Sequence, residues 1–275
     1  MLTSLRLELR KALHKARTYI GPVALSLLIF AVGFGIKHSH HLERMRGLMD
    51  RDFIVTGSIV NAAFLCRSLL EGIPFTFLPL FTCMVCADLL ASESADGTLR
   101  MLLCRPITRR QVAASKYVLG AVYAVGLTIG TGVLAYLIGT ALLGRGSLVL
   151  FNDGIWVIPE HTAILRLLAS YTLVASGMLA IGSIAFAIST FLSNSNGAIA
   201  GAMGVLYGSV VIEEIEFFAP LKPYLLSTHL EKWHRLLQGP FDMHQFLHSI
   251  GIMLAYAVVS FVIGLIIFER RDVLA

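Results

Sequence analysis

Residues Leu167 to Ile212 read LLASYTLVASGMLAIGSIAFAISTFLSNSNGAIAGAMGVLYGSVVI, a run of 46 residues without a charged side chain. As one helix it would be about 69 Å long at 1.5 Å per residue, roughly twice the thickness of the hydrocarbon core of a bilayer. Five consecutive turn-forming residues, Ser193 to Gly197, interrupt the run. It therefore predicts two membrane-spanning helices joined by a break.

The rest of the chain has the same apolar character. Hydrophobic residues make up 56% and charged residues 14%, with a mean hydropathy of +0.77. Soluble domains carry about 25% charged residues, and disordered chains are far less apolar. We predict an all-α membrane protein whose residues 1–275 form one domain. Its six spans are expected at about 19–36, 72–90, 117–143, 167–192, 198–217 and 246–268.

The distribution of Lys and Arg predicts the orientation. If both termini are cytoplasmic, the inner segments hold 12 of the 22 Lys and Arg residues, at about twice the density of the outer loops. Those inner segments are 1–18, 91–116, 193–197 and 269–275. No small-residue cleavage site follows the first apolar run, so we expect it to be a retained span and not a signal peptide.

Residues 1–18 have the pattern of a basic amphipathic helix. Apolar side chains at helical spacing form one face, and Arg and Lys lie mostly on the other. The apolar face comprises Leu2, Leu5, Leu9, Ala12, Leu13 and Ala16. Such a helix is expected to lie in the membrane interface. The alternative is a charged leader that only orients the first span.

Residues 91–116 read ASESADGTLRMLLCRPITRRQVAASK and connect the second and third spans. A helix-like apolar patch precedes Pro106, which disfavours a helical state of the residue before it. Thr108 and Gln111 have the spacing of a capping box, which predicts the start of the next helix. The short helix before Pro106 would either dock on a partner protein or rest on lipid headgroups, and the residues alone leave both open.

Residues 93–109 have the form Glu-x-x-x-Gly-Thr-Leu-x-x-Leu-Leu-x-x-Pro-x-x-Arg. This resembles the loop after the second span in the type-2 permeases of ABC transporters. The six spans, the basic leader and the short charged ending at 268–272 are similar to that family as well. The resemblance implies that the loop forms a coupling helix that fits a groove in an ATPase subunit. The coupling positions it assigns are Glu93, Gly97, Thr98, Leu99, Leu102, Leu103, Pro106 and Arg109.

The resemblance also implies the partners. We expect a non-catalytic permease subunit of an exporter in a prokaryotic cytoplasmic (inner) membrane, with two copies of an ABC ATPase and a second permease copy or homologue, surrounded by membrane lipid. The chain contains no Gly-Lys pair and hence no phosphate-binding P-loop. ATP and Mg²⁺ are therefore expected on the partner ATPase, and no cofactor on this chain.

Other classes of function are less well supported. A secondary transporter would need charges along an ion path, and the spans contain few besides Asp88. An intramembrane enzyme would need converging His, Asp and Glu residues. A scaffold moved by an ATPase without transport remains an alternative. Nucleic-acid binding is not expected, because the basic residues follow the membrane faces.

Three further sequence patterns are less specific about structure or function. Gly197-x-x-x-Gly201 and Gly204-x-x-x-Gly208 favour close helix packing within the chain, with a dimer seam as the alternative. Cys83-x-x-Cys86 is expected to be a packing pair, and the loosely spaced His residues predict no metal site. The acids after the fifth span either line the outer mouth of a pathway, where they would attract a cationic group, or are solvated. They are Glu213, Glu214 and Glu216.

Overall fold

The computed structural model describes residues 2–38, 60–95, 108–151, 155–192, 194–238 and 241–270. The α-helices are α1 (Leu2–His14), α2 (Ala16–Lys37), α3 (Ala62–Gly72), α4 (Phe77–Ala95), α5 (Arg109–Leu143), α6 (Glu160–Phe191), α7 (Ser195–Glu214), α8 (Leu226–Glu231), α9 (Trp233–Leu237) and α10 (Met243–Arg270). A 3-10 helix covers Glu216–Tyr224, and strands β1 (Leu148–Phe151) and β2 (Ile155–Ile158) form an antiparallel hairpin. The all-α membrane class is confirmed; the small hairpin was not predicted.

Five helices of the described residues are long and apolar enough to cross a membrane: α2, α5, α6, α7 and α10. The pair α3 and α4, bent by 63°, gives a sixth span when taken together. The expected break in the 46-residue run is present, since α6 ends at Phe191 and α7 begins at Ser195. The side chain of Asn194 accepts a hydrogen bond from the Asn196 N–H and so caps α7.

The bend between α3 and α4 differs from the expected straight span beginning near residue 72. Pro74 lies in the turn between the two helices, where its missing N–H cannot continue the helical ladder. The α3 segment is fixed independently at its start, because Asn61 accepts a hydrogen bond from the Phe64 N–H at 3.1 Å. Because the residues around Pro74 are apolar, the bend does not interrupt the apolar run that predicts a span.

Helix α6 is the centre of the bundle, and most of its central residues are buried. Small side chains on it allow neighbouring backbones to approach. A Cβ on Gly264 of α10 would lie 3.1 Å from the Cα of Ala187, and one on Gly182 would lie 3.0 Å from the Cys86 sulfur. Close approach of this kind drives helix association in lipid, where the hydrophobic effect is absent.

The bundle has two ends that we name by their contents. The charged end contains the α1–α2 corner, the end of α4, the start of α5, the α6–α7 break and the end of α10. The hairpin end contains β1 and β2, the short helices α8 and α9, and the start of α10. These two ends carry different chemistry.

Candidate functional site

Asp88 is the centre of an ion-pair cluster at the charged end. Its side chain is 8% exposed and accepts from Lys15 Nζ at 3.0 Å and from Arg17 Nη1. Ser195 Oγ at the start of α7 donates to the same carboxylate at 3.3 Å. Because a helix N-terminus favours negative charge, α7 adds to the stabilisation of this carboxylate. Asp88 thus joins the α1–α2 corner, α4 and α7.

A second ion pair lies deeper. Lys116 Nζ on α5 is 3.2 Å from Glu8 Oε2 on α1, and both side chains are buried, at 1% and 7% exposed. Lys11, about half exposed, is 3.8 Å from the other oxygen of Glu8. Burying two charges is costly, so such a pair indicates positional specificity more than stability. It fixes the position of α1 on α5.

The two ion-pair systems surround a cavity of about 30 Å³, lined among others by Glu8, Lys15, Asp88 and Lys116. Asp88 lies seven residues before the end of α4, and Lys116 lies seven residues after the start of α5. Seven residues are about two helical turns. Ion pairs therefore connect both helices that flank residues 96–108 to the N-terminal segment: Glu8 of α1 holds α5, and the α1–α2 corner, through Lys15 and Arg17, holds α4.

The start of α5 is also attached to the end of α10. The Arg110 guanidinium forms a two-contact ion pair with the Glu269 carboxylate, and Arg109 Nη1 donates to the Glu269 carbonyl at 3.2 Å. Thr108 caps α5, with its Oγ1 accepting from the Gln111 N–H at 3.4 Å. The predicted helix start at Thr108 is thereby confirmed.

Of the predicted coupling positions, the structure describes few. Arg109 is the first residue of α5 and contacts Glu269, and the backbone of Glu93 belongs to α4. The other predicted positions lie outside the described residues; they are Gly97, Thr98, Leu99, Leu102, Leu103 and Pro106. The described residues reach both sides of this loop.

Comparison with known proteins finds a family match over nearly the whole chain. A family model described as ABC-2 family transporter protein matches residues 2–273. The chain belongs to the ABC-2 family of transporter proteins. Uncharacterized protein YhcI of Bacillus subtilis (strain 168) is 24% identical over 208 residues, which cover 72% of this chain and 66% of that protein. The matched region thus spans just under two thirds of the length of that relative.

Membership of the ABC-2 family establishes the general role of this chain. This ABC-2 chain is a multi-pass membrane component of an ABC transporter, and its family consists of membrane subunits that are generally non-catalytic. Such permeases generally work with a separate ATPase subunit. The ion-pair cluster lies beside the loop to which the resemblance assigns ATPase coupling.

The acids predicted near the outer mouth of this ABC-2 protein lie at the hairpin end. Glu213 Oε1 accepts from Thr228 Oγ1 at 2.7 Å, whereas Glu214 and Glu216 are exposed. Burial raises the pKa of Glu231, and the charges of Glu213 and Glu214 raise it further. The structure thus places Glu231 near two of the predicted acids, a neighbour that sequence reasoning missed.

The remaining candidates are structural. Cys83 and Cys86 are buried packing residues, and the described part of the chain contains no group of three His, Cys, Asp or Glu side chains suited to a metal. Gly201 packs on Ile188, while a Cβ on Gly204 would have no neighbour from another helix within 4 Å among the described residues. Close packing within the chain therefore applies to only part of the glycine pattern.

Sequence reasoning missed the ion-pair cluster. Glu8 and Lys116 are 108 positions apart, and Asp88 and Lys15 are 73 positions apart. The available signal was the position of Asp88 and Lys116 at the borders of apolar runs, where an unpaired ion is costly. Pairing those charges required knowledge of which helices are neighbours.

Proposed function

We propose that this chain is the membrane-spanning permease subunit of an ATP-driven exporter, working as a dimer with a second permease copy and two ATPase subunits. Residues 91–116 would be the segment that the ATPase binds. The charged end would face the cytoplasm, as the distribution of Lys and Arg favours. The proposal extends the family assignment to the direction of transport and to the partners.

The observation that carries the proposal is the ionic attachment of α1 and the α1–α2 corner to the two helices beside the loop. Asp88 holds the α1–α2 corner to α4, and Glu8 holds α1 to Lys116 of α5. A displacement of the loop would therefore move α1, α4 and α5 together. A purely peripheral loop would not need buried charges on either side of it.

The movement would reach the rest of the bundle through two contacts. Ser195 connects Asp88 to α7, and the Arg110–Glu269 pair connects α5 to α10. When the ATPase subunits close on ATP and Mg²⁺, they would draw the two loops of the dimer together. The helices attached to each loop would then reshape the space between the two permease copies.

Co-purification of the chain with its ATPase tests the docking. Leu99→Asp combined with Leu102→Asp should abolish the complex, because an apolar docking face cannot bury carboxylates. The matched control, Leu99→Met with Leu102→Met, keeps the surface apolar and should retain the complex. An intact complex with the Asp variant, at an equal amount of membrane-inserted chain, would contradict the proposal.

A further inference from the structure

A cavity of about 350 Å³ opens at the hairpin end, between α9 and the first turns of α10. Lys232, Arg235 and Asp242 line it near the surface, and Ser249, Phe246 and Leu173 line it more deeply. Its volume lies within the range of sites for small molecules. The site analysed at the charged end uses none of these residues.

The two cations of this cavity form no ion pair with a carboxylate of the described residues. Lys232 and Arg235 are one helical turn apart, and no ion pair found among the described residues includes either of them. The cations of the charged end, such as Lys15, Arg17 and Lys116, each pair with a carboxylate, so this couple of like charges is distinctive. Like charges held together favour an anionic ligand between them.

Lys232 is positioned by a neutral group. Its Nζ donates to His229 Nδ1 at 3.0 Å, and His229 Nε2 lies 2.7 Å from the Pro223 carbonyl, to which it donates. An imidazole that donates from Nε2 and accepts at Nδ1 is neutral. His229 therefore orients the Lys232 ammonium group without cancelling its charge.

Asp242 does not neutralise the cations. Its Oδ1 accepts from the N–H groups of His244 and Gln245 at 3.0 and 3.2 Å, so it caps the N-terminus of α10. Burial lowers the pKa of Lys232, and the charge of Arg235 lowers it further. The cavity lining identified here thus carries two positive charges and one negative charge.

We propose that this cavity binds a phosphate group, carried by the headgroup of a phospholipid whose apolar part lies along Phe246. The guanidinium of Arg235 matches phosphate oxygens geometrically, and Lys232 adds a second charge-assisted contact. The cavity lies at an end of a membrane-spanning bundle, where headgroups are abundant, and the exposed Leu247 next to Phe246 extends the apolar surface. The inference does not depend on ATPase coupling.

Native mass spectrometry of the purified full chain in neutral detergent tests this site. Phosphatidylglycerol, diacylglycerol and inorganic phosphate would each be titrated. Lys232→Gln with Arg235→Gln should weaken phosphatidylglycerol binding about tenfold or more, because two charge-assisted contacts are lost. Diacylglycerol, which lacks the phosphate, should bind weakly and equally to both proteins.

Matched variants control for charge and folding. Lys37→Gln with Arg145→Gln removes two exposed cations at the same end and should leave binding unchanged. Arg235→Gln alone changes an exposed side chain and should give an intermediate loss. Inorganic phosphate that binds the wild type but not the double variant would also support this cavity as a phosphate site. Equal phosphatidylglycerol binding by the wild type, the pocket variant and the control would overturn the proposal.

Discussion

The two ends of the bundle hold their helices together by different means. At the charged end, carboxylates and cations from distant parts of the chain form ion pairs, such as Glu8 with Lys116 and Asp88 with Lys15. At the hairpin end, no ion pair joins two different helices among the described residues, and single hydrogen bonds join them instead. Tyr171 Oη donates to the Cys66 carbonyl at 3.1 Å, and Tyr256 Oη donates to the Tyr224 carbonyl at 2.8 Å.

The difference indicates which end transmits movement and which end binds a ligand. Ion pairs between helices fix a relative position and fail when one partner is removed, which suits an end that transmits movement. Cations that form no ion pair with the described carboxylates, such as Lys232 and Arg235, suit an end that binds an anion. The comparison makes distinct predictions for substitutions at each end.

The largest expected effect is at the buried pair of the charged end. Lys116→Met should lower the free energy of unfolding by about 3–5 kcal/mol, because it leaves the Glu8 carboxylate buried with its closest cation removed. Lys116→Met with Glu8→Leu should recover most of the loss. Thermal unfolding of the purified chain, analysed as a double-mutant cycle, measures both.

Lys11→Met is the matched control for Lys116. Lys11 is about half exposed and 3.8 Å from the same carboxylate, so its loss should cost about 1 kcal/mol or less. Equal effects of the two Lys variants would show that Glu8 and Lys116 are not a buried pair.

Asp88→Asn should have the next largest effect. The amide accepts weaker hydrogen bonds than the carboxylate from Lys15 and Arg17, so the α1–α2 corner should loosen and stability should fall by about 1–3 kcal/mol. Hydrogen exchange of residues 8–20 should increase. In the complete complex, stimulation of the ATPase by the permease should also fall.

Glu71→Gln is the counterpart at the hairpin end. Glu71 is about half exposed and pairs with Arg67 within one helix, so the pair should contribute about 0.3–0.5 kcal/mol. If Asp88→Asn and Glu71→Gln change hydrogen exchange and stability alike, the two ends do not differ as described.

A smaller effect is expected from a neutral contact of the hairpin end. Tyr171→Phe removes the hydrogen bond to the Cys66 carbonyl and should cost about 1 kcal/mol of unfolding free energy. Tyr123→Phe is a matched control, because the buried Tyr123 hydroxyl has no hydrogen-bond partner among the described residues. Its removal should be neutral or stabilising, and a loss equal to that of Tyr171→Phe would contradict these contacts.

The smallest predicted effect concerns pH. Burial lowers the pKa of His229, and the charges of Lys232 and His248 lower it further against the opposing influence of the Pro223 carbonyl and Glu213. The unfolded chain therefore takes up a proton first as the pH falls below about 6.5. The stability due to the neutral imidazole should be complete above that pH and decline below it.

Unfolding temperatures measured between about pH 5 and 8 test this dependence. His229→Gln should make the decline below pH 6.5 smaller than in the wild type. Burial also lowers the pKa of His234, so part of the decline should remain, and an undiminished decline in the His229 variant would contradict the assignment.

Sequence reasoning recovered the spans better than the contacts. The run from Leu167 to Ile212 exceeds one bilayer thickness and contains its own break, so α6 and α7 follow from length and turn chemistry alone. The helix start at Thr108 follows from the capping pattern. Both predictions rest on interactions between residues close in sequence.

Features that depend on neighbours across the fold were not predictable in this way. The bend at Pro74 is concealed in a uniformly apolar run, and the Glu8–Lys116 pair joins residues 108 positions apart. The hairpin offered a local signal, since Asn152-Asp153-Gly154 lies between two short apolar segments. Because these short segments lie between two long apolar runs, the pattern of spans does not distinguish them from an ordinary connecting loop.

The most direct test of the account is the accessibility of Cys104, within the loop between α4 and α5, to a membrane-impermeant thiol reagent. The other three cysteines, Cys66, Cys83 and Cys86, are buried, so labelling reports on Cys104. In sealed cells Cys104 should not react until the membrane is permeabilised, while Val157→Cys at the exposed hairpin should react at once. Labelling of Cys104 in sealed cells would place the loop outside the cell, away from any cytoplasmic ATPase, and would contradict the proposed function.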